Sequence, residues 1–182
     1  MERFHENEIE IPEGCSVSIE NRILTVKGPK GEIIRDVKNK LLKDDIKDNK
    51  VILYAAKASK NHKKIIATFT AHLRNLLKGV TEGHVYKLKI CAGHFPMTVT
   101  VKGDKFEIKN FIGESKPRIL IIKDGATVKV DGRDITVTGI NKETVSQVAA
   151  DIELLTRRPN FDRRIFQDGI YITDKDGKKI GK

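Results

Sequence analysis

The chain has 182 residues, with 35 lysines and arginines against 25 aspartates and glutamates and a net charge of +10. Its 38% apolar content is too rich in aliphatic residues for a disordered chain, and aliphatic runs such as Ile119–Ile122 are far too short to span a bilayer. What remains is a folded, basic protein of one or two domains whose charge favours a polyanionic partner, nucleic acid above all.

Met1–Glu10 is acidic rather than basic and then apolar, so no secretory leader is expected. Glu8–Pro12 alternates and ends at a proline, which predicts an edge strand. Val17–Glu32 (VSIENRILTVKGPKGE) follows as a hairpin turning at Glu20-Asn21-Arg22, and its end, Lys27-Gly28-Pro29-Lys30-Gly31, predicts a tight loop presenting two lysines. Ile33–Val37 and Val51–Ala56 read as strands separated by a charged loop, Lys43–Lys50. Ser59 is placed to cap a helix running to about Lys78, with Ile65, Phe69, Leu73, Leu76 and Val80 as its buried stripe and Gly79 as its closing glycine. Val80-Thr81-Glu82-Gly83 is the expected linker.

The second half opens with a strand, His84–Cys91, broken by Gly93-His94-Phe95-Pro96. A hairpin is predicted around Lys102-Gly103-Asp104-Lys105, and a further strand at Ile119–Ile122. Val128–Glu143 (VKVDGRDITVTGINKE) aligns without gaps on Val17–Glu32, pairing Arg22 with Arg133, Thr25 with Thr136, Val26 with Val137 and Gly28 with Gly139. That match predicts a duplicated unit and hence two like domains. Asn141 is placed to cap a helix over about 143–156 whose stripe is Val145, Val148, Ala149, Ile152 and Leu155. Ile170-Tyr171-Ile172 reads as a short strand before a polar tail. The fold class is therefore α+β, with two tandem similar domains, each an antiparallel sheet packed by one main helix. The boundaries are 1–82, 83–173 and a basic tail over 174–182, whose removal is expected to leave the melting temperature nearly unchanged.

Cys15 and Cys91 stand apart, so neither a zinc site nor a disulfide framework is indicated. No phosphate loop of the G-x-x-x-x-G-K-[ST] type exists, and no H-E-x-x-H. Asp174–Gly177 resembles the start of a calcium loop but lacks the closing glutamate and reads as a β-turn. Cys91 and His94 are the one nucleophile-and-base pairing to consider, and no further residue pattern supports them. No enzyme, cofactor, metal or small-molecule substrate is expected.

The last 26 residues carry 8 basic and 4 acidic side chains, as much net charge as the first 82 with 16 and 12. Arg157, Arg158, Arg163 and Arg164 flank a helix end and a proline turn, and Lys175, Lys178, Lys179 and Lys182 follow. Guanidinium forks grip phosphate oxygens in pairs and lysines add point charge. With 5% aromatic residues and no tryptophan, the pattern favours structured, largely duplex RNA over a base-stacking mode.

Several stretches resemble one family. Val26–Gly31 is similar to the V-K-G-P-K-G loop of the universal large-subunit ribosomal protein six family, and Gly79–Gly83 with Tyr86-Lys87 resembles its interdomain segment. Gly93-His94-Phe95-Pro96-Met97 and Asn110-Phe111-Ile112-Gly113-Glu114 resemble its archaeal and eukaryotic branch. Arg164–Lys175 (RIFQDGIYITDK) matches that branch's closing motif R-x-F-x-D-G-I-Y-[IV]-x-x-K at every fixed position. The resemblance implies a non-catalytic constituent of the large ribosomal subunit, in the cytoplasm. It implies binding to large-subunit rRNA, mainly through the second domain, near the stalk base and the sarcin–ricin region, beside other ribosomal proteins. A free-standing RNA-binding or regulatory module is the alternative. Candidate RNA contacts are the eight basic residues from Arg157 to Lys182 named above, with His94, Lys116, Arg118, Lys27 and Lys30. Pro159 and Phe161 stand where the family often carries lysines.

Overall fold

The computed structural model describes residues 4–20, 23–36, 42–47, 49–55, 59–162 and 164–180. The chain divides into two units, Met1–Gly83 and His84–Lys182.

In the first unit the strands are β1 (Phe4–Glu10), β2 (Ser16–Glu20), β3 (Ile23–Gly28), β4 (Gly31–Asp36), β5 (Leu42–Lys47) and β6 (Lys50–Ala55), followed by helix α1 (Lys60–Thr81). They form two antiparallel sheets, β1-β6-β5 and β2-β3-β4. Alternation sends Leu24 and Val26 of β3, and Val51, Leu53 and Ala55 of β6, into the core. Helix α1 lies against β1, β3 and β6, so it closes both sheets. The Ser59 side chain accepts from the His62 N–H at its start.

The stripe of α1 is rotated from the expected one. Ile66, Thr70, Leu73, Leu76, Leu77 and Val80 are buried, while Ile65 and Phe69 are only half-buried. Thr70 can be buried because its hydroxyl accepts from Asn7 Nδ2 at 3.1 Å. The helix also runs past Gly79 to Thr81, and Gly83, with φ of 80°, is the residue in the left-handed region after its end. Val80 and Thr81 are therefore helix rather than linker. Leu73→Ala should cost about 2–5 kcal/mol and Phe69→Ala less, measured as paired urea melts of the full chain.

The second unit contains β7 (His84–Cys91), β8 (Thr98–Lys102), β9 (Lys105–Lys109), a 3-10 turn at Phe111–Gly113, β10 (Arg118–Ile121), β11 (Ala126–Asp131), β12 (Asp134–Gly139), α2 (Lys142–Leu155), β13 (Gly169–Lys175) and β14 (Lys178–Lys179). Its sheets are β8-β9-β10 and β11-β12-β7-β13-β14. Every second residue of β7 points inward: His84, Tyr86, Leu88 and Ile90. Tyr86, Leu88 and Ile90 meet Phe106, Ile108 and the α2 stripe of Val145, Val148, Ala149 and Ile152 in one core. The Asn141 side chain accepts from the Glu143 N–H at 3.0 Å at the start of α2.

The two units are duplicates, but not in the phase that the 17–32 and 128–143 alignment predicts. By sheet order, β2-β3-β4 corresponds to β8-β9-β10, β1-β6-β5 to β7-β12-β11, and α1 to α2. The second copy of the aligned pattern, β11-β12, thus occupies the place of β5-β6. Both hairpins hold Val opposite Val, at Val17–Val26 and Val128–Val137, because a short turn between strands of period two imposes that register on any such pair. The matching glycines also serve different ends. A Cβ on Gly28 would fall 2.7 Å from Val80 Cγ2, whereas one on Gly139 would fall 2.4 Å from the Gly125 carbonyl oxygen.

Two further expectations change. The stretch Lys43–Lys50, read as a loop, contains most of strand β5, an edge strand whose charges suit its position. The tail expected from Asp174 is instead sheet. Asp174 and Lys175 continue β13 beyond a bulge after Ile172, and pair with Lys179 and Lys178 across a turn at Asp176-Gly177. Both turn residues have positive φ, as a tight hairpin requires. Asp176 Oδ2 lies 3.0 Å from Nδ1 of buried His84. Deleting 174–182 should therefore destabilise the second unit by about 1–3 kcal/mol, read as a melting temperature several degrees lower.

Candidate nucleic-acid interface

Three loops of the second unit meet at one end of its sheets: 92–97 after β7, 110–117 before β10, and 156–168 after α2. The first is held to the third by Asp168. This buried carboxylate accepts from the backbone N–H groups of Gly93 (3.0 Å), His94 (3.1 Å) and Phe95 (3.2 Å), and lies 2.9 Å from His94 Nδ1. Burial opposes ionisation of Asp168, but the His94 side chain and these backbone donors outweigh it and hold the carboxyl below the usual carboxylate range. The His94 ring also lies 5.1 Å from that of Phe166. His94 is thus a fixed, partly open side chain turned towards Asp168.

The second loop is held to the third by Arg118. Its Nε and Nη2 donate to the two Glu114 oxygens at 2.7 and 2.6 Å, and Nη1 donates to the Leu155 carbonyl at 2.6 Å. Its guanidinium lies 4.4 Å over the Phe111 ring. The hydrogen bond from Arg118 is the main reason that the Glu114 carboxyl titrates lower than usual. Arg118, a candidate RNA contact, has its fork turned to protein oxygens: the Glu114 carboxylate and the Leu155 carbonyl at the end of α2. Lys116, on the same loop, is exposed.

Beyond α2, Arg157 is exposed and Arg158 is half-buried, its guanidinium 4.3 Å over the Phe161 ring. Asn160, with φ of 64°, turns the chain between them and Phe161. Arg164 is exposed and pairs with Asp162 at 2.8 Å, which lowers the Asp162 carboxyl and raises the Arg164 guanidinium from their ordinary values. Arg157, Arg158, Lys116, Arg164 and His94 are therefore gathered on one end of the unit. Arg163 and Lys182 lie outside the described residues.

Lys175, Lys178 and Lys179 form a second, separate group. They are exposed on the β13-β14 hairpin. Six strand steps put Lys175 about 20 Å from Gly169, where the arginine-bearing loop enters β13. The two lysines of the first unit are differently used. Lys27 pairs with Glu32 at 3.3 Å. Lys30 donates through Nζ to the Glu82 carbonyl and through its backbone N–H to the Val80 carbonyl, at the negative end of α1. The loop expected to present both lysines also clasps α1, with the exposed Lys30 bonded to carbonyls at the helix end.

Sequence reasoning missed Asp168 and the aromatic side chains Phe161 and Phe166. The signal for Asp168 lay in the closing motif, where a polar residue sits beside a glycine between apolar positions. Among the described residues no three His, Cys, Asp or Glu side chains are grouped to hold a metal, and no helix is long and apolar enough to cross a membrane.

The family model described as Ribosomal protein L6 matches residues 11–83 and 95–169. The chain belongs to the ribosomal protein L6 family. One matched stretch falls in each unit, the first running from before β2 through α1 and the second from before β8 through α2, which is the phase of duplication that the sheets display. The chain is 48% identical to "Large ribosomal subunit protein uL6" of Methanosarcina mazei, over 92% of this chain and 95% of that protein. Proteins of the same name are 42% identical in Ignicoccus hospitalis (90% and 91% covered) and 44% identical in Aeropyrum pernix (92% and 93% covered).

Proposed function

We propose that this protein is a non-catalytic constituent of the cytoplasmic ribosome's large subunit, bound to large-subunit rRNA mainly through its second unit. The reading extends to a position near the stalk base and the sarcin–ricin region, beside neighbouring ribosomal proteins. The observation that carries it is the exposed Arg157 and half-buried Arg158 at the end of α2, with Lys116 on the adjoining loop and Arg164 beyond. Cationic groups on rigid loops suit the phosphate spine of folded RNA. The lysines of the β13-β14 hairpin form a second contact. Lys27 and Lys30, exposed on the loop that clasps α1, are the candidate contacts of the first unit.

The test is the salt dependence of binding to the rRNA fragment. Neutralising roughly six phosphates gives a slope of log K against log salt of about −4 to −5, and Arg157→Ala should make it shallower by about 1. A flat dependence would count against the reading. Co-sedimentation with large subunits after a high-salt wash separates it from a free-standing RNA-binding module.

A further inference from the structure

We propose that the cleft beside Arg157 and Arg158 takes one unstacked RNA base, a mode of contact separate from the phosphate grip. The inference rests on the reading that the chain binds RNA. The cleft measures about 200 Å³, and its lining includes Phe111, Phe161, Phe166, Tyr171, Arg157 and Arg158. Drug-sized pockets run to about 300–1,000 Å³, so this one suits a fragment the size of a single heterocycle.

Aromatic residues are scarce in this chain, with 7 phenylalanines and 3 tyrosines. The fold nevertheless draws three of the phenylalanines and a tyrosine to one cleft. Phe161 and Phe166 meet edge to face at 5.2 Å. The Arg158 guanidinium sits over the Phe161 ring at 4.3 Å, and rings and guanidinium planes are the two surfaces on which splayed RNA bases stack. The charge pattern orients the occupant. Glu153 and Asp168 also line the cleft, so a phosphate is repelled from its interior and a neutral base is not. The exposed Arg157 side chain is free to meet the phosphate of the same nucleotide at the rim.

The test uses the full chain and three probes: AMP, UMP and ribose 5-phosphate. Ring proton signals of Phe161 and Phe166 are followed by NMR during titration. AMP and UMP are expected to shift them and ribose 5-phosphate is not. Phe161→Ala should weaken AMP binding roughly 5- to 150-fold. Phe161→Leu keeps the apolar volume and should lose most of the same affinity with an unchanged far-UV circular dichroism spectrum. Equal ring shifts for AMP and ribose 5-phosphate, or AMP affinity unaltered in Phe161→Leu, would overturn the proposal. If those results came while the rRNA fragment still bound with its steep salt slope, the base cleft alone would fail. Absence of rRNA binding would instead remove the reading beneath it.

Discussion

Asp168→Ala is expected to destabilise the second unit by about 3 kcal/mol, because several donors lose one shared buried acceptor and each buried group left unsatisfied costs about 1–3 kcal/mol. The loss has two parts: the imidazole contact and three backbone N–H groups of loop 92–97 that share this one carboxylate. Urea melts should show a lower midpoint with an unchanged slope. Asp168→Asn keeps an acceptor but not the charge, and should cost about 1.5–3 kcal/mol. The pH dependence gives the sign. A carboxyl held below its ordinary value of about 3.9 contributes stability that is fully present above about pH 5. That contribution disappears as pH falls through the lowered folded-state value. The gap between wild type and Asp168→Asn should therefore be widest near neutrality and narrow below about pH 4. A gap of constant size from pH 7 to pH 3 would show that the charge plays no part.

Arg118→Ala should cost about 1.5–3 kcal/mol, the range for a charge-assisted hydrogen bond, since both Glu114 oxygens and the Leu155 carbonyl lose their donor. Arg118→Lys should recover less than half, because an ammonium cannot span two carboxylate oxygens and a carbonyl at once. The informative comparison is with Arg157→Ala. If Arg118 positions the loops and touches no phosphate, its alanine variant weakens rRNA binding without changing the salt slope, whereas Arg157→Ala makes the slope shallower by about 1. A shallower slope in Arg118→Ala would return this residue to the phosphate contacts.

Much of the architecture was legible because it is written in local patterns. Alternation in His84–Cys91 marks β7, and Ser59 and Asn141 mark the helix starts. The end of α1 was placed too early, at Gly79: the helix continues to Thr81, and Gly83, assigned to the linker, is the left-handed residue after its end. The phase of the duplication was misread because alternation and a short turn repeat in every hairpin, so Val17–Glu32 matches Val128–Glu143 without occupying the same place. Strand β5 was hidden because edge position, not alternation, explains its lysines and aspartates. The site was harder still. Arg118 and Lys30 look like free cations, but Arg118 is forked onto Glu114 and both donate to backbone carbonyls, at Leu155 and Glu82. A carbonyl carries no side-chain signature, so contacts across such sequence distances are visible only in three dimensions. The aromatic cleft was obscured by averaging, since a low overall content says nothing of how a fold gathers the few rings it has.

Strand β7 lies between β12 and β13, so the opening segment of the second unit finds one of its two neighbours only in Gly169–Lys175, after α2. During synthesis the first unit is complete once Gly83 has emerged, and can fold while the rest is still being made. The second must wait for β13, leaving one edge of β7 open until then. A nascent chain halted before Gly169 would expose that edge to pairing with another molecule.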